Sequence, residues 1–186
     1  MKIIVITGTP GTGKTTVAKK LQTELKNAKL ISASKLINEK SLYKGIDYDG
    51  AKVADMRGLS TAIRKEIANF KGQTLIIEGH LLSDMRIPGA VAVVLREHLL
   101  TLKSRLSRRG YHVAKIRDNI VDEAIDYCGV NAMRNYRKGY EFMSGDRYLM
   151  RKLKAIAEGR RISGGASIQL LGELLGIIKS DKRYAL

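Results

Sequence analysis

A glycine-rich segment near the amino terminus constrains the fold of this chain more than any other feature. Residues 8–16 read GTPGTGKTT and match the phosphate-binding P-loop pattern G-x-x-x-x-G-K-[ST] at every required position. The segment follows the apolar run 3–6 and precedes residues 17–25, whose apolar side chains have helical spacing. Backbone amides of such a loop and the N-terminus of the following helix point at negative charge. The sequence therefore predicts a site for a nucleoside triphosphate, with Lys14 reaching the β- and γ-phosphates and the Thr15 hydroxyl holding Mg²⁺.

Short β-rich runs alternate with helical patterns along the rest of the chain. This alternation predicts an α/β fold in which helices cover both faces of a parallel sheet. Together with the P-loop it indicates a P-loop NTPase, a three-layer α/β/α architecture with a five-stranded parallel sheet. The expected strands are residues 2–7, 29–32, 74–78, 91–96 and 140–143. At 186 residues the whole chain, 1–186, is expected to form a single domain.

Two expectations concern the second half of the chain. Residues 109–119 are polar, which predicts a connection that leads into a helix through Ile120, Ala124 and Tyr127. A terminal helix is predicted from an apolar face that recurs at helical spacing. The residues expected on that face are Ile168, Leu171, Leu175 and Ile178.

The chain is strongly basic, with 34 Lys and Arg against 18 Asp and Glu and a net charge of +16. Such a balance favours polyanionic partners, and it is also typical of a solvated surface in a lysine-rich proteome. No interleaving of basic and aromatic residues indicates a base-stacking surface. No apolar run is long enough to cross a membrane, and a lone cysteine fits a reducing compartment. The expected location is cytoplasmic.

Two polar residues follow the apolar run 74–77. Glu78 stands where the carboxyl end of a parallel strand meets the ligand crevice, which favours a role in organising Mg²⁺; the alternative is a surface acid at a strand end. His80 lies two residues further on. It is a candidate to orient an attacking water, and the alternative is a structural or solvent-exposed histidine.

Three arginines cluster before Gly110. Phosphoryl transfer depends on positioning and charge neutralisation, and a mobile arginine that closes over the γ-phosphate supplies both. The same cluster also complements the dipole at a helix C-terminus, so both roles remain open. The three arginines are Arg105, Arg108 and Arg109.

Taken together, these motifs resemble the atypical adenylate kinases, a family with archaeal members and eukaryotic nuclear relatives. The resemblance covers roughly residues 1–128. Its specific elements are the P-loop, the segment 42–45, the triplet Glu78-Gly79-His80, and RGY at 109–111 followed by Lys115 and Asn119. It implies a nucleoside monophosphate kinase-like fold.

The resemblance also assigns roles by position. It implies an ATP-binding loop that includes Gly11, Gly13 and Thr16, a monophosphate-binding insertion over about 32–55, and a short lid over about 108–118. Arg109 is the implied ATP-contacting arginine, and the acid and histidine of the triplet are tied to hydrolysis and transfer. Candidate monophosphate-binding residues within the insertion are Ser32, Lys35, Tyr43 and Asp55. The basic extension over about 160–186 has no counterpart, and it is expected to cap the core, pair two subunits or dock on a partner.

The activity implied by the resemblance is twofold. One part is Mg²⁺-dependent transfer of the ATP γ-phosphate to AMP or another nucleoside monophosphate, with broad specificity and an accompanying ATPase activity. The other is a role in late maturation of the small ribosomal subunit and its rRNA, with a small-subunit ribosomal protein and pre-ribosomal particles as partners. One alternative is an ATPase assembly factor in which the kinase activity is incidental. Another is a P-loop kinase of a small non-nucleotide acceptor such as shikimate, which the expected insertion and lid disfavour.

Overall fold

The computed structural model describes residues 1–46, 52–160, 162 and 168–181 of the chain. The strands are β1 (Lys2–Thr7), β2 (Ala28–Ser32), β3 (Tyr43–Ile46), β4 (Lys52–Ala54), β5 (Thr74–Glu78), β6 (Ala90–Arg96) and β7 (Lys138–Met143). Five of them form one parallel sheet in the order β2-β5-β1-β6-β7, while β3 and β4 pair as an antiparallel ribbon apart from it. The five-stranded parallel sheet predicted from the sequence is confirmed.

Helices connect the strands. They are α1 (Lys14–Glu24), α2 (Ala33–Glu39), α3 (Met56–Asn69), α4 (Leu99–Arg108), α5 (Val113–Ala124), α6 (Tyr127–Asn135), α7 (Leu149–Ala157) and α8 (Leu171–Ser180). A short 3₁₀ helix, His80–Asp84, follows β5. Asp55 caps α3, because its carboxylate accepts a hydrogen bond from the Arg57 amide at 3.1 Å. None of the helices that the structure describes is both long and apolar enough to cross a lipid bilayer.

The central strand β1 is buried on both faces, which explains why its sequence is a continuous apolar run. Ile3 and Val5 pack into a core with α2, α3 and α6. Ile4 and Ile6 point to the opposite face and pack with α1 and α7. Helices therefore cover both faces of the sheet, and the predicted three-layer α/β/α class is confirmed.

The sheet topology places the candidate site residues at one edge of the sheet. Strand β1 lies between β5 and β6, with Ile6 in register with Glu78 on one side and with Val93 on the other. Because all three strands run in the same direction, the P-loop after β1 and the carboxylate that ends β5 emerge at the same edge of the sheet. Ligands of open parallel sheets bind in the crevice outside this edge.

The connection between α4 and α5 is shorter than the sequence predicts. Residues 113–118 are helical, so only residues 109–112 link the two helices, and the prediction of a polar connection over 109–119 is wrong. The reason is that Ile116 and Ile120, four residues apart, are buried against α4 and α8. The predicted helix through Tyr127 is also interrupted. Asp126 adopts a left-handed conformation, with φ of 60°, and starts α6 as a separate helix.

The terminal helix α8 packs on α4 and α5, but with a different face from the predicted one. Leu171 and Leu175 are 49% and 60% exposed, respectively, whereas Leu174 and Ile177 are buried. Five of the ten residues of α8 are Leu or Ile, so the spacing pattern does not select one face; contact with the apolar sides of α4 and α5 does. The rest of the predicted extension, like residues 47–51 of the predicted insertion, lies outside the described residues except for a few positions.

Candidate active site

The P-loop lies between β1 and α1 in a conformation that requires glycine. Gly8 has a φ of 135°, and a Cβ at this position would lie 2.3 Å from the carbonyl oxygen of Leu95. Gly13 has a φ of 91° and occupies the N-cap of α1 in a left-handed conformation. The loop is therefore wrapped tightly against β6, and the N-terminus of α1 opens into the crevice, where it favours negative charge.

Lys14 lies at the first turn of α1 and is almost completely buried, with 8% of its surface exposed. Its ammonium donates a hydrogen bond to the Thr9 carbonyl oxygen at 2.9 Å. Burial lowers the pKa of Lys14 to about 8, and the negative charges of Glu78 and Glu123 oppose this shift while the positive charge of Arg109 adds to it. The Lys14 ammonium has lost most of its hydration, and an anion bound in the loop would compensate for that loss.

Thr15 and Glu78 meet across the crevice. The Thr15 hydroxyl donates to Oε2 of Glu78 at 3.1 Å, and Glu78, at the end of β5, is only 3% exposed. A hydroxyl and a carboxylate are hard oxygen ligands, and Mg²⁺ in such sites takes one or two protein oxygens together with substrate phosphates. The two residues predicted to serve the metal are therefore adjacent and of a type that fits Mg²⁺.

A cavity of about 290 Å³ opens at this edge of the sheet. The P-loop, α2, the segment after β5 and the link between α4 and α5 all contribute to its walls. The lining residues are Pro10, Gly11, Gly13, Lys14, Thr15, Thr16, Ala33, Ser34, Ile37, Glu78, Gly79, His80, Leu81, Arg109 and Tyr111. All the predicted catalytic and ATP-binding residues are thus brought together around one cavity.

His80 is the first residue of the 3₁₀ helix, and it both lines the cavity and is exposed to solvent, as one alternative from the sequence anticipated. Its backbone carbonyl accepts hydrogen bonds from the hydroxyls of Thr7 and Ser83 at 3.2 and 3.0 Å. Although His80 is exposed at the cavity mouth, the surrounding walls remove part of its hydration and lower its pKa to about 4, and the charges of Lys14 and Lys115 act in the same direction. The imidazole is therefore neutral near pH 7 and can accept a hydrogen bond or a proton from a group in the cavity.

Arg109 and Tyr111 border the cavity from the short link between α4 and α5. Arg109 is exposed and occupies the C-cap of α4, and the left-handed Gly110 follows it with a φ of 74°. Tyr111 packs on the apolar cluster between α4 and α5, and the Lys115 ammonium lies 5.5 Å from its ring centroid. Arg109 therefore adds positive charge to the cavity wall.

The predicted monophosphate-binding residues do not line this cavity. Ser32 ends β2, Lys35 is exposed on α2, and Tyr43 is exposed on the ribbon with Lys52 stacked 4.5 Å from its ring centroid. Asp55 caps α3. Within α2, three other residues reach the cavity instead. These are Ala33, Ser34 and Ile37.

A buried ionic network behind the P-loop was missed by the sequence analysis. Arg96, at the end of β6, is fully buried. Its guanidinium contacts Glu123 at 3.0 Å, Asp126 at 2.6 Å and Glu141 at 3.2 Å. The sequence does contain a signal for this network, since an arginine ends an otherwise apolar strand. A charge in that place needs buried partners of opposite charge. Burial raises the pKa of Asp126 to about 6 despite the adjacent Arg96.

A second part of the network holds the P-loop from the side of α4. Nη1 of Arg105 donates to the Gly11 carbonyl oxygen at 3.1 Å and contacts Glu97 at 2.6 Å. Glu97 also accepts hydrogen bonds from the Ser144 hydroxyl and from the His98 amide. Arg105 is therefore occupied in supporting the loop, which distinguishes it from Arg109.

The lowered pKa of Lys14 predicts proton uptake on nucleotide binding. A triphosphate beside Lys14 restores its charged form, so at pH 8, where the free amine is about half protonated, binding should take up about half a proton. At pH 6.5, where Lys14 is already charged, its contribution should vanish. Calorimetric titrations of ATP in two buffers of different ionisation enthalpy measure this number. Equal heats in both buffers at pH 8 would contradict the prediction.

Known sequences are similar to most of this chain. Residues 4–126 match the sequence profile of a family described as an AAA domain. A protein from Methanosarcina barkeri, curated as "Putative adenylate kinase", is 36% identical over 140 residues, which cover 75% of each chain. A protein of the same description from Pyrococcus furiosus is 36% identical over 141 residues, covering 75% of this chain and 73% of its own.

Comparison with solved structures gives the same architecture. A shikimate kinase from Bacteroides thetaiotaomicron superposes with a TM-score of 0.59 at 19% identity, covering 84% of this chain and 98% of its own. A shikimate kinase from Acinetobacter baumannii in complex with shikimate also reaches 0.59, at 16% identity, covering 86% and 94%. At such identities the similarity extends to the fold alone.

Proposed function

The chain belongs to the atypical adenylate kinase family, and on that premise we propose that it transfers the γ-phosphoryl group of Mg²⁺-bound ATP to AMP or another nucleoside monophosphate. One observation carries the proposal. A single cavity is lined both by six residues of the P-loop, with the Thr15–Glu78 oxygen pair, and by residues of α2, which belongs to the segment where the resemblance locates the acceptor. Lys14 and Arg109 line the same cavity.

The proposed reaction needs positioning and charge neutralisation more than covalent chemistry. An oxygen of the acceptor monophosphate forms a bond to the γ-phosphorus as the bond to the bridging oxygen of ADP breaks, and with AMP the products are two ADP. Lys14 holds the β- and γ-phosphates, and the amides at the start of α1 hold the charge of the leaving diphosphate. Thr15 and Glu78 would hold Mg²⁺, which when bound neutralises charge on the β- and γ-phosphate oxygens. Arg109 closes from the α4–α5 link and stabilises the charge of the transferring group.

ATP hydrolysis is the second activity that we propose for this cavity. It is supported by His80, which borders the cavity as a neutral imidazole and can accept a hydrogen bond from an attacking water. In this reaction water replaces the monophosphate as the attacking group, and the products are ADP and inorganic phosphate.

Replacement of His80 by Ala is expected to lower ATP hydrolysis about 100-fold, because the variant loses the group that orients the water. The dissociation constant of ATP should change less than about twofold, since the P-loop and not His80 holds the phosphates in the proposed complex. Release of inorganic phosphate and calorimetric titration with ATP measure the two quantities. Equal losses in binding and hydrolysis would identify His80 as a structural residue.

The decisive test of the proposed function is the formation of ADP from Mg-ATP, alone and with each common nucleoside monophosphate. Strong stimulation by one monophosphate, with its diphosphate appearing in equal amount, establishes the kinase and names the acceptor. Slow turnover that is indifferent to every monophosphate favours the ATPase assembly factor. Transfer to shikimate without transfer to any monophosphate would favour the non-nucleotide kinase. A Lys14→Ala preparation, purified in parallel, accounts for contaminating kinases.

We propose in addition that the chain acts in maturation of the small ribosomal subunit, in the cytoplasm, through a small-subunit ribosomal protein. The net charge of +16 supports this, because it favours association with RNA-rich particles. Co-sedimentation with purified small subunits and their precursors, with ATP or a non-hydrolysable analogue, tests the idea. Binding that is retained with the analogue and released with ATP would support it. Binding that is absent at about 150 mM salt in both cases would refute it.

A further inference from the structure

Thr9, the second residue of the P-loop, connects the catalytic lysine to a helix outside the loop. The Thr9 side chain is buried, and its hydroxyl donates a hydrogen bond to Oε2 of Glu123 at 2.5 Å. The carbonyl oxygen of the same residue accepts from the Lys14 ammonium at 2.9 Å and from the Thr12 hydroxyl at 3.0 Å. The position of Thr9 therefore sets where the Lys14 ammonium is held.

Glu123 is itself fixed by donors that surround its carboxylate. Oε1 accepts from Nε of Arg96 at 3.0 Å and from the Glu97 amide at 2.9 Å, while Oε2 accepts from Thr9. Nη2 of Arg96 also donates to the Glu123 backbone carbonyl at 2.6 Å. The side chain of Glu123 is 1% exposed. Hydrogen bonds to a charged acceptor are stronger than neutral ones, and inside a low-dielectric interior they define position well.

Glu123 lies on α5, the helix that follows the link carrying Arg109 and Tyr111 to the cavity. The Asn119 side chain, one turn earlier, donates to the Lys115 carbonyl oxygen at 2.6 Å on the same helix. The Thr9–Glu123 hydrogen bond, which is buried and spans 114 positions of sequence, therefore links α5 directly to the P-loop.

We propose that Glu123 is a positioning residue of the proposed kinase: by accepting from the Thr9 hydroxyl it fixes the carbonyl oxygen that holds the Lys14 ammonium, and so couples α5 to the phosphate site. The negative charge of Glu123 also favours the charged form of Lys14. This role rests on the proposed use of the cavity for ATP, but it does not depend on which acceptor is used.

The test compares ATP binding and turnover in four variants of the Thr9–Glu123 contact and one control variant with the wild type. Thr9→Val removes the hydroxyl at nearly constant shape and should raise the ATP dissociation constant about tenfold, the size expected for loss of a hydrogen bond to a charged group. Thr9→Ser keeps the hydroxyl and should stay within about twofold. Glu123→Gln should weaken binding by a similar factor to Thr9→Val, because it removes the charged acceptor of the Thr9 hydroxyl. The loss in the double variant Thr9→Val/Glu123→Gln should be smaller than the two single losses combined, because both single variants weaken the same contact.

Glu141→Gln is the matched control. Glu141 contacts Arg96 from the other side at 3.2 Å and accepts from the Ile168 amide at 3.2 Å, so the variant perturbs the same arginine from a position outside the P-loop. It should lower the thermal midpoint about as much as Glu123→Gln and leave ATP affinity within about twofold. If Glu141→Gln weakens ATP binding as much as Glu123→Gln, the network is merely structural and the proposal is wrong.

Two further outcomes overturn the proposal: an ATP affinity within about twofold of wild type for Thr9→Val or for Glu123→Gln, or a loss for Thr9→Ser equal to that for Thr9→Val. If Thr9→Val does not fold, the difference in ATP affinity between Glu123→Gln and Glu141→Gln decides the question on its own. Calorimetry measures ATP binding directly and does not depend on the acceptor. A wild-type protein that binds ATP and phosphorylates no monophosphate would therefore refute the proposed kinase, while the ATP affinities of the variants would still test the role of Glu123.

Discussion

Replacement of Lys14 by Ala should lower both phosphoryl transfer and ATP hydrolysis by about 10³-fold, the largest effect that we expect from a single substitution in the loop. The reason is that both reactions develop charge on the same phosphates, and removing one preorganised donor from such charge costs about 10²–10³-fold even where the group lost is neutral. Lys14 contributes a full, desolvated charge. The turnover number and the ATP dissociation constant, measured separately, show whether the loss falls on chemistry or on binding.

The stability of the Lys14→Ala protein distinguishes a functional lysine from a structural one. Burial lowers the pKa of Lys14 to about 8, which means that the surroundings oppose its charge. The thermal midpoint of the variant should therefore stay at or above that of the wild type. Lys20→Ala, an exposed position on the same helix, is the control with an equal change in net charge, and it should retain full turnover. Activity in Lys14→Ala near the wild-type level would refute the site.

Local patterns predicted those parts of the fold that local physics determines. The strands β1, β5 and β6 are short apolar runs bounded by polar or glycine-containing segments. A strand that is buried on both faces has this pattern whatever its neighbours in the sheet are. The P-loop itself is a local pattern, and six of its residues line the cavity.

Contacts between distant segments explain the errors. The buried face of α8 could not be chosen from a helix with leucine or isoleucine at half of its positions, because α4 and α5 determine which side is covered. Residues 113–118 were predicted as a connection because they are polar overall, although Ile116 alone anchors them to the core. The Thr9–Glu123 hydrogen bond joins residues 114 positions apart, and no local pattern indicates such a partner.

Replacement of Arg109 by Ala should lower phosphoryl transfer by about 10³-fold, at the lower end of the effect of arginines that close over a transferring phosphoryl group. Arg109 borders the cavity at the C-cap of α4, and its charge is close enough to lower the pKa of Lys14. It is exposed, and the left-handed Gly110 beside it provides a pivot, so the side chain can close when the triphosphate arrives. The loss should appear mainly in the turnover number, with a smaller change in ATP affinity.

Arg108→Ala is the matched control, because it removes the same charge from the adjacent position. The Arg108 side chain is exposed, points back along its own helix with Nε donating to the Ser104 carbonyl oxygen at 3.4 Å, and does not line the cavity. Turnover of Arg108→Ala should stay within about twofold of wild type. If both variants lose activity equally, the effect comes from the general positive field of the helix end. If Arg109→Ala keeps wild-type turnover, the transferring phosphoryl group is stabilised without this arginine, and the closing movement of the α4–α5 link has no role in catalysis.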